Sequence, residues 1–480
     1  MTAWPDRTVC VAGLGVSGLA CVRALAGLGA RVVAVDARAG DAVAPAAAEA
    51  EGLGARVVLG LDRSAGLPPG TDLVVTSPGW RPDDPFLLAA ERAGVPVWGE
   101  VELAWRLRPA TGAAPWLALT GTNGKTTTVR MLDAILTAAG LRSVACGNVG
   151  LPVVEAVLAG HDVLAVELSS FQLHRTSSLR PAAAALLNVA PDHLDWHGSL
   201  EAYAADKGRV LAGAGTAVGN ADDPTVRALL ADAPGAGARV AFTLAVPTAG
   251  QLGLVEDLLV DRAFVADPTG GAEELAALAD LPLPGPHNAA NALAAAALAR
   301  SHGVPATAVR AGLRATVVDP HRNAHVATVD GVAFVDDSKA TNPHAAAASL
   351  ASYERVVWVA GGLAKGASYD DLVAAAAPRL RAAVLLGRDR AAVAEALARH
   401  APEVPVVEVT PTETGGMPSV MPQVVARARA LARPGDTVLL APAAASMDQF
   451  RDYGARGDAF AAAVRALEGR PTRPGAGAGA

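Results

Sequence analysis

The stretch "ALTGTNGKTTTVRML" combines glycines, a lysine and hydroxyl residues in an order typical of loops that bind nucleotide phosphates. Gly121 and Gly124 free the backbone, so that amide N–H groups can point at phosphate oxygens. Lys125 can neutralise the terminal phosphates, and the Thr126 hydroxyl can ligate Mg²⁺. The full pattern G-x-x-x-x-G-K-[ST] would place a glycine where Leu119 stands. The residues present therefore predict a phosphate-binding loop that lacks its first glycine.

The elements predicted on either side of this loop are those that a phosphate site requires. "PWLALTG" is an apolar run that predicts a buried strand leading into the loop. A helix is predicted to follow, because Val129, Leu132, Ile135 and Leu136 share one helical face. Gly140 is of the residue type that commonly ends a helix. The order strand, loop and helix outweighs the missing glycine and favours a nucleotide site.

Two later strands are predicted to end in polar side chains. "DVLAVELSSFQL" delivers Glu167 and Ser169, and "AAAALLNVAPDHLDWHG" delivers Asn188, Asp192 and His193. Ligands of open parallel sheets bind at the carboxyl ends of the strands. A carboxylate beside the phosphate loop suits a magnesium–nucleotide site, because Mg²⁺ takes oxygen ligands from one or two carboxylates and from phosphates. Alternatively, such acids only cap turns and the histidine is structural.

Near the N-terminus, "TVCVAGLGVSGLACVRALAGLGARVVAVD" predicts a strand, a glycine-rich turn, a helix and a second strand. Gly13, Gly15 and Gly18 fit G-x-G-x-x-G, and Asp36 ends the second strand. This pattern brings a pyrophosphate to a helix N-terminus and an acid to a ribose. NAD binding, a purely structural turn and a nucleotide-diphosphate site all remain open. Arg38, suited to a base or a phosphate, and the later turn "TSPGW" favour the nucleotide diphosphate.

Composition and charge exclude several classes of protein. The 480 residues suffice for several cores, and 51% hydrophobic with 18% charged residues indicates a globular chain. A formal charge of −7 argues against nucleic acid as a partner. No strongly apolar run of about 18 residues and no signal-peptide pattern appears, so we expect no membrane insertion. Cys10, Cys21 and Cys146 lack metal-like spacing, which predicts reduced thiols and a cytoplasmic location.

Strand-like apolar runs alternate with alanine-rich helical patterns along most of the chain, which predicts an α/β fold with mostly parallel sheets. Breaks in composition at "RPATGAAP" and "TVVDP" divide it into three predicted domains. Residues 1–110 would form a Rossmann-like domain, residues 111–317 a central P-loop ATPase-like domain, and residues 318–480 a Rossmann-like C-terminal domain. The last ten residues, 471–480, are predicted to be a disordered tail.

Eight motifs, in their order along the chain, resemble those of the Mur ligase family of peptidoglycan synthesis. They are "TGTNGKTTT", "ELSSFQL", "NVAPDHLDWHG", "YAADK", "GPHNAANALAAAALA", "HR" at 321 and 322, "DDSKATNPHA" and "APAAASMDQF". The resemblance spans the chain from Gly13 to Phe460. The phosphate loop and "HNAANALAA" are marks of the whole family, whereas "DDSKATNPHA" and "SMDQF" point to its D-glutamate-adding members.

The resemblance implies an ATP-dependent ligase of the cytoplasm. It would add D-glutamate to UDP-N-acetylmuramoyl-L-alanine through an acyl phosphate and a tetrahedral intermediate, with release of ADP and phosphate. The implied cofactors are ATP and two Mg²⁺ ions, for which Mn²⁺ could substitute. In this family the first domain grips UDP instead of NAD. We expect a monomer whose partners are these small-molecule substrates.

The resemblance also implies roles for individual residues. Lys125, His193 and Lys207 would be catalytic. The metal ligands would be Thr126, Glu167, His193 and Lys207. Lys207 would carry CO₂ as a carbamate, because a free lysine repels Mg²⁺ whereas a carbamate is an anionic oxygen donor. The ATP-binding residues would be Gly121, Thr122, Asn123, Gly124, Lys125, Thr126, Thr127, Asn288, Asn291, Arg322, Asp337 and Lys339.

Two further sets would bind the other substrates. The set implied for the UDP-substrate is Gly15, Val16, Ser17, Asp36, Arg38, Ser77, Gly79, Asn148, Ser169 and Gln172. The set implied for D-glutamate is Thr341, Lys365, Ser446, Met447 and Phe450. Two alternatives remain: a sibling amide ligase, including one of the folylpolyglutamate synthetase type, and a binding protein that senses NAD or a UDP-sugar.

Overall fold

The computed structural model describes residues 4–317, 320–410 and 420–468. Three sheets, mostly parallel, carry helices between their strands, which confirms the predicted α/β class. The chain forms two compact units: residues up to 189 together with 196–317, and residues 190–195 together with the chain beyond 317. The first two sheets belong to the first unit and the third sheet to the second unit. The division into three domains stays a prediction, and residues 471–480 lie outside the described residues.

The first sheet has five parallel strands in the order β3-β2-β1-β4-β5. Its elements are β1 (Thr8–Ala12), α1 (Val16–Gly27), β2 (Arg31–Asp36), α2 (Ala44–Gly52), β3 (Arg56–Leu59), β4 (Leu73–Thr76), α3 (Pro85–Arg92), β5 (Val97–Gly99) and α4 (Glu100–Leu107). The central strands are apolar and buried, as expected where helices cover both faces of a parallel sheet. The strand order reverses beside β1, and ligands bind at such switch points.

The second sheet has nine strands in the order β14-β13-β12-β11-β10-β9-β6-β8-β7. Its strands are β6 (Trp116–Thr120), β7 (Ser143–Gly147), β8 (Val163–Glu167), β9 (Ala183–Leu186), β10 (Thr216–Asn220), β11 (Ala238–Phe242), β12 (Gln251–Val255), β13 (Leu258–Asp261) and β14 (Glu273–Ala277). Strands β6 to β12 pair in parallel, and β13 and β14 add an antiparallel edge.

Eight helices accompany this sheet in the described chain. They are α5 (Lys125–Ala138), α6 (Val153–Leu158), α7 (Ser170–His174), α8 (Leu194–His197), α9 (Leu200–Gly208), α10 (Pro224–Ala231), α11 (Pro286–Ser301) and α12 (Ala306–Ala315). The predicted apolar face of α5 is buried in one core with the alanine-rich α11. Helix α5 ends in a Schellman motif, in which Leu141 N donates to Leu136 O at 3.1 Å and Gly140 has a positive φ. The helix stop predicted at Gly140 is therefore confirmed.

The third sheet has six strands in the order β15-β16-β20-β17-β18-β19, parallel except for the β15–β16 hairpin. Its elements are β15 (Ala324–Val329), β16 (Val332–Asp336), α13 (Pro343–Leu350), β17 (Val356–Ala360), α14 (Asp370–Ala376), β18 (Leu380–Leu385), α15 (Arg390–His400), β19 (Val406–Glu408), α16 (Met421–Leu431), β20 (Thr437–Leu440) and α17 (Tyr453–Glu468). In the described parts of the chain, every helix is too short or too polar to cross a lipid bilayer.

Candidate functional site

The phosphate loop predicted from the sequence connects β6 to α5 at the carboxyl edge of the second sheet. Gly124 lies in the left-handed region, with φ 83°, and a Cβ there would come 2.2 Å from Asn291 Oδ1. A residue with a side chain would be strained at this φ and would have to displace the side chain of Asn291. Helix α5 begins at Lys125, so its first amide groups face the loop. The backbone therefore has the form of an anion-binding site.

Two lysines converge on one carbonyl group of this loop. Lys125 Nζ donates to Gly121 O at 2.8 Å and to Thr122 O at 2.9 Å. Lys207 Nζ donates to the same Gly121 O at 2.8 Å from helix α9, and its side chain is buried. Lys207 also lies over the Tyr203 ring, 4.6 Å from the ring centroid. The structure thus brings together two of the three residues predicted to be catalytic.

Asn188 braces the loop from the adjoining strand end. Its backbone carbonyl accepts from Thr122 N at 3.0 Å, and its side-chain Oδ1 accepts from Asn123 N at 2.8 Å. Its Nδ2 donates to Asn123 O at 3.1 Å. The sequence placed Asn188 at a strand end but gave it no role. Its position two residues after β9, the strand beside β6, is the signal that could have revealed one.

Glu167 ends β8, the neighbour of β6, and is 1% exposed. Its Oε1 accepts from Asn148 Nδ2 at 2.8 Å, and its Oε2 is buried without a hydrogen-bond partner in the described structure. A buried carboxylate oxygen with no partner is costly, and buried charges normally pair or bind metals. Glu167 therefore fits the role of a ligand for a divalent cation at this edge of the sheet.

A polar network behind Lys207 was not foreseen from the sequence. Tyr203 Oη and Thr122 Oγ1 lie 3.1 Å apart, so α9 is tied to the phosphate loop. Asp206 Oδ2 lies 2.8 Å from His174 Nδ1 and 3.1 Å from His197 Nδ1. Burial raises the pKa of Asp206, but the hydrogen bonds to the two histidines outweigh it and hold the value at about 2. This carboxylate is thus charged at neutral pH and anchors the helix that carries Lys207.

Three more residues predicted around the nucleotide or its metal, Asn288, Asn291 and His193, lie in separate parts of the chain. Asn288 and Asn291 are buried on the first turns of α11, and Asn291 Nδ2 lies 3.4 Å from Asn288 Oδ1. His193, with φ 53°, belongs to the second unit, where Asn342 Nδ2 donates to Asp192 Oδ2 at 3.1 Å. Contact with Gly124 places Asn291 at the phosphate loop, whereas the role of His193 stays a prediction.

The glycine-rich turn after β1 is closely packed. A Cβ at Gly18 would lie 1.7 Å from Gly13 O, and Ser77 Oγ donates to that same carbonyl at 3.1 Å. Gly15 precedes α1 and would have no atom within 4 Å of an added Cβ. Val16 is 76% exposed. The turn therefore presents open backbone and the start of a helix to a ligand.

Asp36 and Arg38 form a fixed pair beside this turn. Asp36 Oδ2 accepts from Leu14 N at 2.8 Å and from Arg38 Nη2 at 2.7 Å, and Oδ1 accepts from Arg38 Nε at 2.9 Å. Burial raises the pKa of Asp36, but the bonds from Arg38 and Leu14 prevail and hold it at about 2. The acid that a dinucleotide pattern assigns to a ribose here orients Arg38, whose side chain stays 58% exposed.

Ser169 and Gln172 form a capping box at the start of α7. Ser169 N donates to Gln172 Oε1 at 2.9 Å, and Gln172 N donates to Ser169 Oγ at 3.2 Å. A shallow, open cleft lies beside them, and its lining combines aromatic rings with a few polar groups, as in small-molecule sites. Its lining is Thr76, Ser77, Pro78, Trp80, Gly99, Glu100, Phe171, Gln172, Arg175 and Trp196.

In the second unit, three residues predicted to bind ATP flank the end of β16. Burial raises the pKa of Asp337 to about 6, although Arg322 nearby lowers it, and Asn323 N donates to its Oδ1 at 3.2 Å. Lys339 Nζ lies 3.8 Å from the centroid of the Tyr453 ring. Tyr453 was not predicted as a site residue, and this cation–π contact identifies it as a candidate.

The residues predicted to bind D-glutamate follow three neighbouring strands of the third sheet. Thr341 follows β16, Lys365 follows β17, and Ser446, Met447 and Phe450 follow β20. Leu363 N donates to Ala445 O at 2.8 Å, and Ala445 N donates back at 3.0 Å, so the last two loops are paired. The exposed Lys365 and the 63% exposed Met447 leave this edge accessible, while Ser446 is buried.

Among the described residues, no group of three or more histidine, cysteine, aspartate and glutamate side chains is arranged to hold a metal. A cation at this edge would depend on Glu167, on the hydroxyl of Thr126 and on a modified Lys207. That donor set is compatible with Mg²⁺ because all its atoms would be hard oxygens, supplemented by phosphate. Thr126 is buried in the first turn of α5, as a ligand beside a phosphate loop should be.

A phosphate loop at the carboxyl edge of a parallel sheet, in a chain with three such sheets, defines a nucleotide-binding α/β protein. Family models match three stretches: the MurD-like N-terminal domain at 7–99, the Mur ligase middle domain at 119–299, and the Mur ligase glutamate ligase domain at 321–444. The chain belongs to the Mur ligase family, which confirms the resemblance seen in its motifs.

Similar proteins extend this finding over the whole chain. The chain is 60% identical over 472 residues to the UDP-N-acetylmuramoylalanine--D-glutamate ligase of Streptomyces avermitilis, covering 97% of this chain and 100% of that protein. It is 61% identical over 470 residues to the ligase of the same name from Thermobifida fusca, with coverage of 96% and 99%. The structure of UDP-N-acetylmuramate-alanine ligase from Thermotoga maritima is similar in fold, with a TM-score of 0.57 and 18% identity over 96% of this chain and 100% of that chain.

Proposed function

We propose that this protein is an ATP-dependent ligase of cytoplasmic peptidoglycan precursor synthesis that joins D-glutamate to UDP-N-acetylmuramoyl-L-alanine. The names of relatives about 60% identical over nearly their full length support this substrate pair. The structural observation that carries the proposal is the convergence of Lys125 and Lys207 on the Gly121 carbonyl, at the sheet edge where Glu167 ends β8. Three free, buried cysteines agree with a reducing compartment.

The reaction must overcome the poor reactivity of a carboxylate toward an amine. The L-alanyl carboxylate takes the terminal phosphoryl group of ATP, which gives an acyl phosphate and ADP. The amine of D-glutamate then attacks the acyl carbon, and the tetrahedral intermediate collapses with release of phosphate and of the amine proton. Such chemistry depends on positioning and on electrostatic stabilisation of the migrating phosphoryl group.

The first unit supplies the groups for the phosphoryl transfer. Lys125 leaves the loop carbonyls to meet the terminal phosphates, while Asn188 holds the loop backbone in place. Mg²⁺, when bound, would neutralise phosphate charge. Thr126, Glu167 and carbamylated Lys207 of this unit would be oxygen ligands of the two ions, which Mn²⁺ could replace, and the fourth predicted ligand, His193, belongs to the second unit. Because Oε2 of Glu167 is buried without a partner in the described structure, this acid is ready to accept a cation.

Binding of the two other substrates divides between the units. Arg38, oriented by Asp36, and the turn at Gly15 would hold the UDP group, and the cleft beside Ser77 and Gln172 would hold the muramoyl group. In the second unit, Lys365 would meet a carboxylate of D-glutamate, with Ser446 and Thr341 beside it. Asp337 and Lys339 would contact the nucleotide. A lysine suits a substrate carboxylate because its ammonium is a compact point charge.

The decisive experiment gives the purified chain ATP, Mg²⁺, UDP-N-acetylmuramoyl-L-alanine and a panel of amino acids, and measures phosphate release together with product mass. We expect turnover with D-glutamate only. Turnover with L-alanine, a diamino acid or a dipeptide instead would identify a sibling ligase. Tight NAD binding without any new amide would favour the sensor alternative. Gel filtration of the same sample tests the expected monomer.

A further inference from the structure

A buried arginine of helix α17 reaches the carboxyl ends of three adjacent strands in the third sheet. Arg456 is 1% exposed. Its Nε donates to Ser338 Oγ at 3.0 Å and its Nη2 to Ser338 O at 2.9 Å, in the loop after β16. Its Nη1 donates to Ala444 O at 3.1 Å, after β20, and lies 3.5 Å from Gly361 O, after β17. One guanidinium group thereby contacts all three loops.

These are the loops that carry the predicted substrate-binding residues of the second unit. The first holds Asp337, Lys339 and Thr341, the second holds Lys365, and the third holds Ser446. Backbone bonds already join them in pairs: Ala443 N donates to Ala340 O at 2.9 Å, and Gly361 N donates to Pro442 O at 2.8 Å. Arg456 adds the contact that is common to all three.

The setting of Arg456 is energetically expensive, which argues for a purpose. In the described structure no carboxylate lies within ion-pair distance of its guanidinium, and its acceptors are carbonyl groups and one hydroxyl. Burying a charge costs several kcal/mol, on the order given for buried ions generally, and among the described residues no carboxylate contacts this one directly to offset the cost. Burial lowers the pKa of Arg456 to about 10, although the more distant Asp448 and Asp336 raise it, so the group is still a cation at neutral pH. An apolar side chain would fill the same space without that cost.

The loop after β20 holds a second sign of constraint. Ala443 has φ 58°, a left-handed conformation that residues with a Cβ rarely adopt, and its N–H is the donor to Ala340 O. Such strain persists where the surrounding structure over-determines it, and it concentrates at functional sites. The contact from Arg456 to Ala444 O directly follows the strained residue.

We propose that Arg456 is a positioning residue, which fixes the three substrate-binding loops of the second unit relative to one another through its contacts with Ser338, Gly361 and Ala444. It touches no substrate itself. The proposal rests on the proposed function for the identity of those substrates, but its geometric part does not. A fork of five donors can serve three loops at once, whereas the single ammonium of a lysine cannot.

The test compares Arg456→Lys, Arg456→Met and the control Arg399→Met, an exposed arginine of the same unit that pairs with Asp370. Hydrogen–deuterium exchange is measured on peptides covering the loops after β16, β17 and β20. We expect faster exchange in all three loops of both Arg456 variants, and no change in the control. Unchanged exchange in all three loops, or faster exchange in only one of them, would overturn the proposal.

Steady-state kinetics provide a readout that loss of fold alone would not move. In Arg456→Lys, KM for D-glutamate should rise by about tenfold or more, because a misplacement near 1 Å is costly in a preorganised site. KM for UDP-N-acetylmuramoyl-L-alanine should stay within about twofold, since its predicted residues lie in the first unit. A lower kcat with both KM values unchanged would mean only a smaller folded fraction, and would contradict a positioning role.

A second variant covers the case in which Arg456→Met does not fold. Ser338→Ala keeps the arginine but removes the hydroxyl that accepts from its Nε. Ser338 Oγ also donates to Tyr453 O at 2.7 Å, so we expect a somewhat lower unfolding temperature but a folded protein at the assay temperature. KM for D-glutamate should rise less than in Arg456→Lys, and an unchanged KM would count against the proposal. If the wild-type chain makes no product, the proposed function fails, whereas the exchange experiment still decides whether Arg456 holds the loops.

Discussion

Lys125 and Lys207 donate hydrogen bonds to the same oxygen atom, the carbonyl of Gly121, each at 2.8 Å. Two ammonium groups that share one acceptor repel each other, and the repulsion is strongest where water is excluded, as around the buried Lys207. A carbamate on Lys207 would replace one of the positive charges by a negative one. The pair would then attract, and the site would gain an oxygen ligand for a cation.

Carbamylation of Lys207 is directly testable, because the chain contains only four lysines: 125, 207, 339 and 365. After equilibration with ¹³C-labelled bicarbonate, we expect one carbamate signal in the ¹³C NMR spectrum. Lys207→Ala should abolish that signal together with nearly all turnover, whereas Lys365→Ala should keep it. A spectrum without such a signal in the fully active enzyme would contradict the carbamate.

Lys125→Ala should lower kcat by about 10²–10³, the range found when one preorganised charge-stabilising group is removed. The physical reason is that Lys125 is the cation of the phosphate loop itself, at the start of α5. Phosphate release at saturating ATP and Mg²⁺ measures the effect, with Arg142→Ala, an exposed change in the same unit, as control. Near-normal turnover in Lys125→Ala would show that this loop does not drive the reaction.

Glu167→Gln should weaken Mg²⁺ binding without lowering the stability of the metal-free protein. The Mg²⁺ concentration for half-maximal activity should rise by about tenfold or more, because one anionic ligand is lost. Without metal, the variant should unfold at the same temperature as the wild type or a higher one, since a buried carboxylate oxygen without a partner in the described structure has been neutralised. The control is Glu49→Gln at an exposed acid. Lower metal-free stability together with an unchanged Mg²⁺ requirement would exclude the ligand role.

Arg38→Ala should raise KM for the UDP-substrate by about tenfold, the value of one hydrogen bond to a charged group. Asp36 already holds the guanidinium in place, so its exposed face can meet a ligand at little cost in entropy. The KM for D-glutamate should not change. Rates measured against each substrate in turn separate the two, and an unchanged KM for the UDP-substrate would remove Arg38 from that site.

Periodicity and local motifs were enough to predict the fold class, the strand before the phosphate loop, the apolar face of α5 and its stop at Gly140. Each depends on residues close in sequence, where spacing alone decides which side chains share a face. The positions of Glu167 and Asn188 at one sheet edge also followed, because parallel strands present their carboxyl ends together. The distribution of lysines was a signal that the sequence reasoning did not use: all four lysines lie among the predicted site residues, whereas of the 36 arginines only Arg38 and Arg322 do.

The contacts that sequence reasoning missed join residues far apart in the chain. Lys207 meets Gly121 across 86 positions, and Arg456 meets Ser338 across 118. Nothing in the local pattern around Arg456 separates it from a surface arginine on an alanine-rich helix. Its burial follows from the packing of α17 against the third sheet. Such tertiary packing overrides the preference that the local sequence alone would indicate, here a surface position. Tyr453 was missed for the same reason, since only the fold brings its ring to Lys339.

The buried carboxyl group of Glu100 should make the free energy of unfolding of the first unit depend on pH. It is 2% exposed on α4, its Oε1 accepts from Val154 N at 2.8 Å, and its Oε2 is buried without a partner in the described structure. Burial raises its pKa from 4.5 to about 7, against the opposing effect of the backbone N–H groups of α6. Because the folded state binds this proton more tightly than the unfolded chain, the stability that Glu100 provides is lost as pH rises from about 4.5 to about 7.

Glu100→Gln keeps the acceptor for Val154 N and removes the charge. The variant should therefore gain about 2 kcal/mol relative to the wild type between pH 5 and pH 8, as measured by urea unfolding at both values. Glu102→Gln is the matched control, on the same helix and equally buried. Burial raises the pKa of Glu102, but bonds from Ser177, Ser178 and Arg106 hold it below 4.5, so the difference between this variant and the wild type should not change over that range. If the two variants respond to pH alike, the buried carboxyl of Glu100 does not titrate near neutrality.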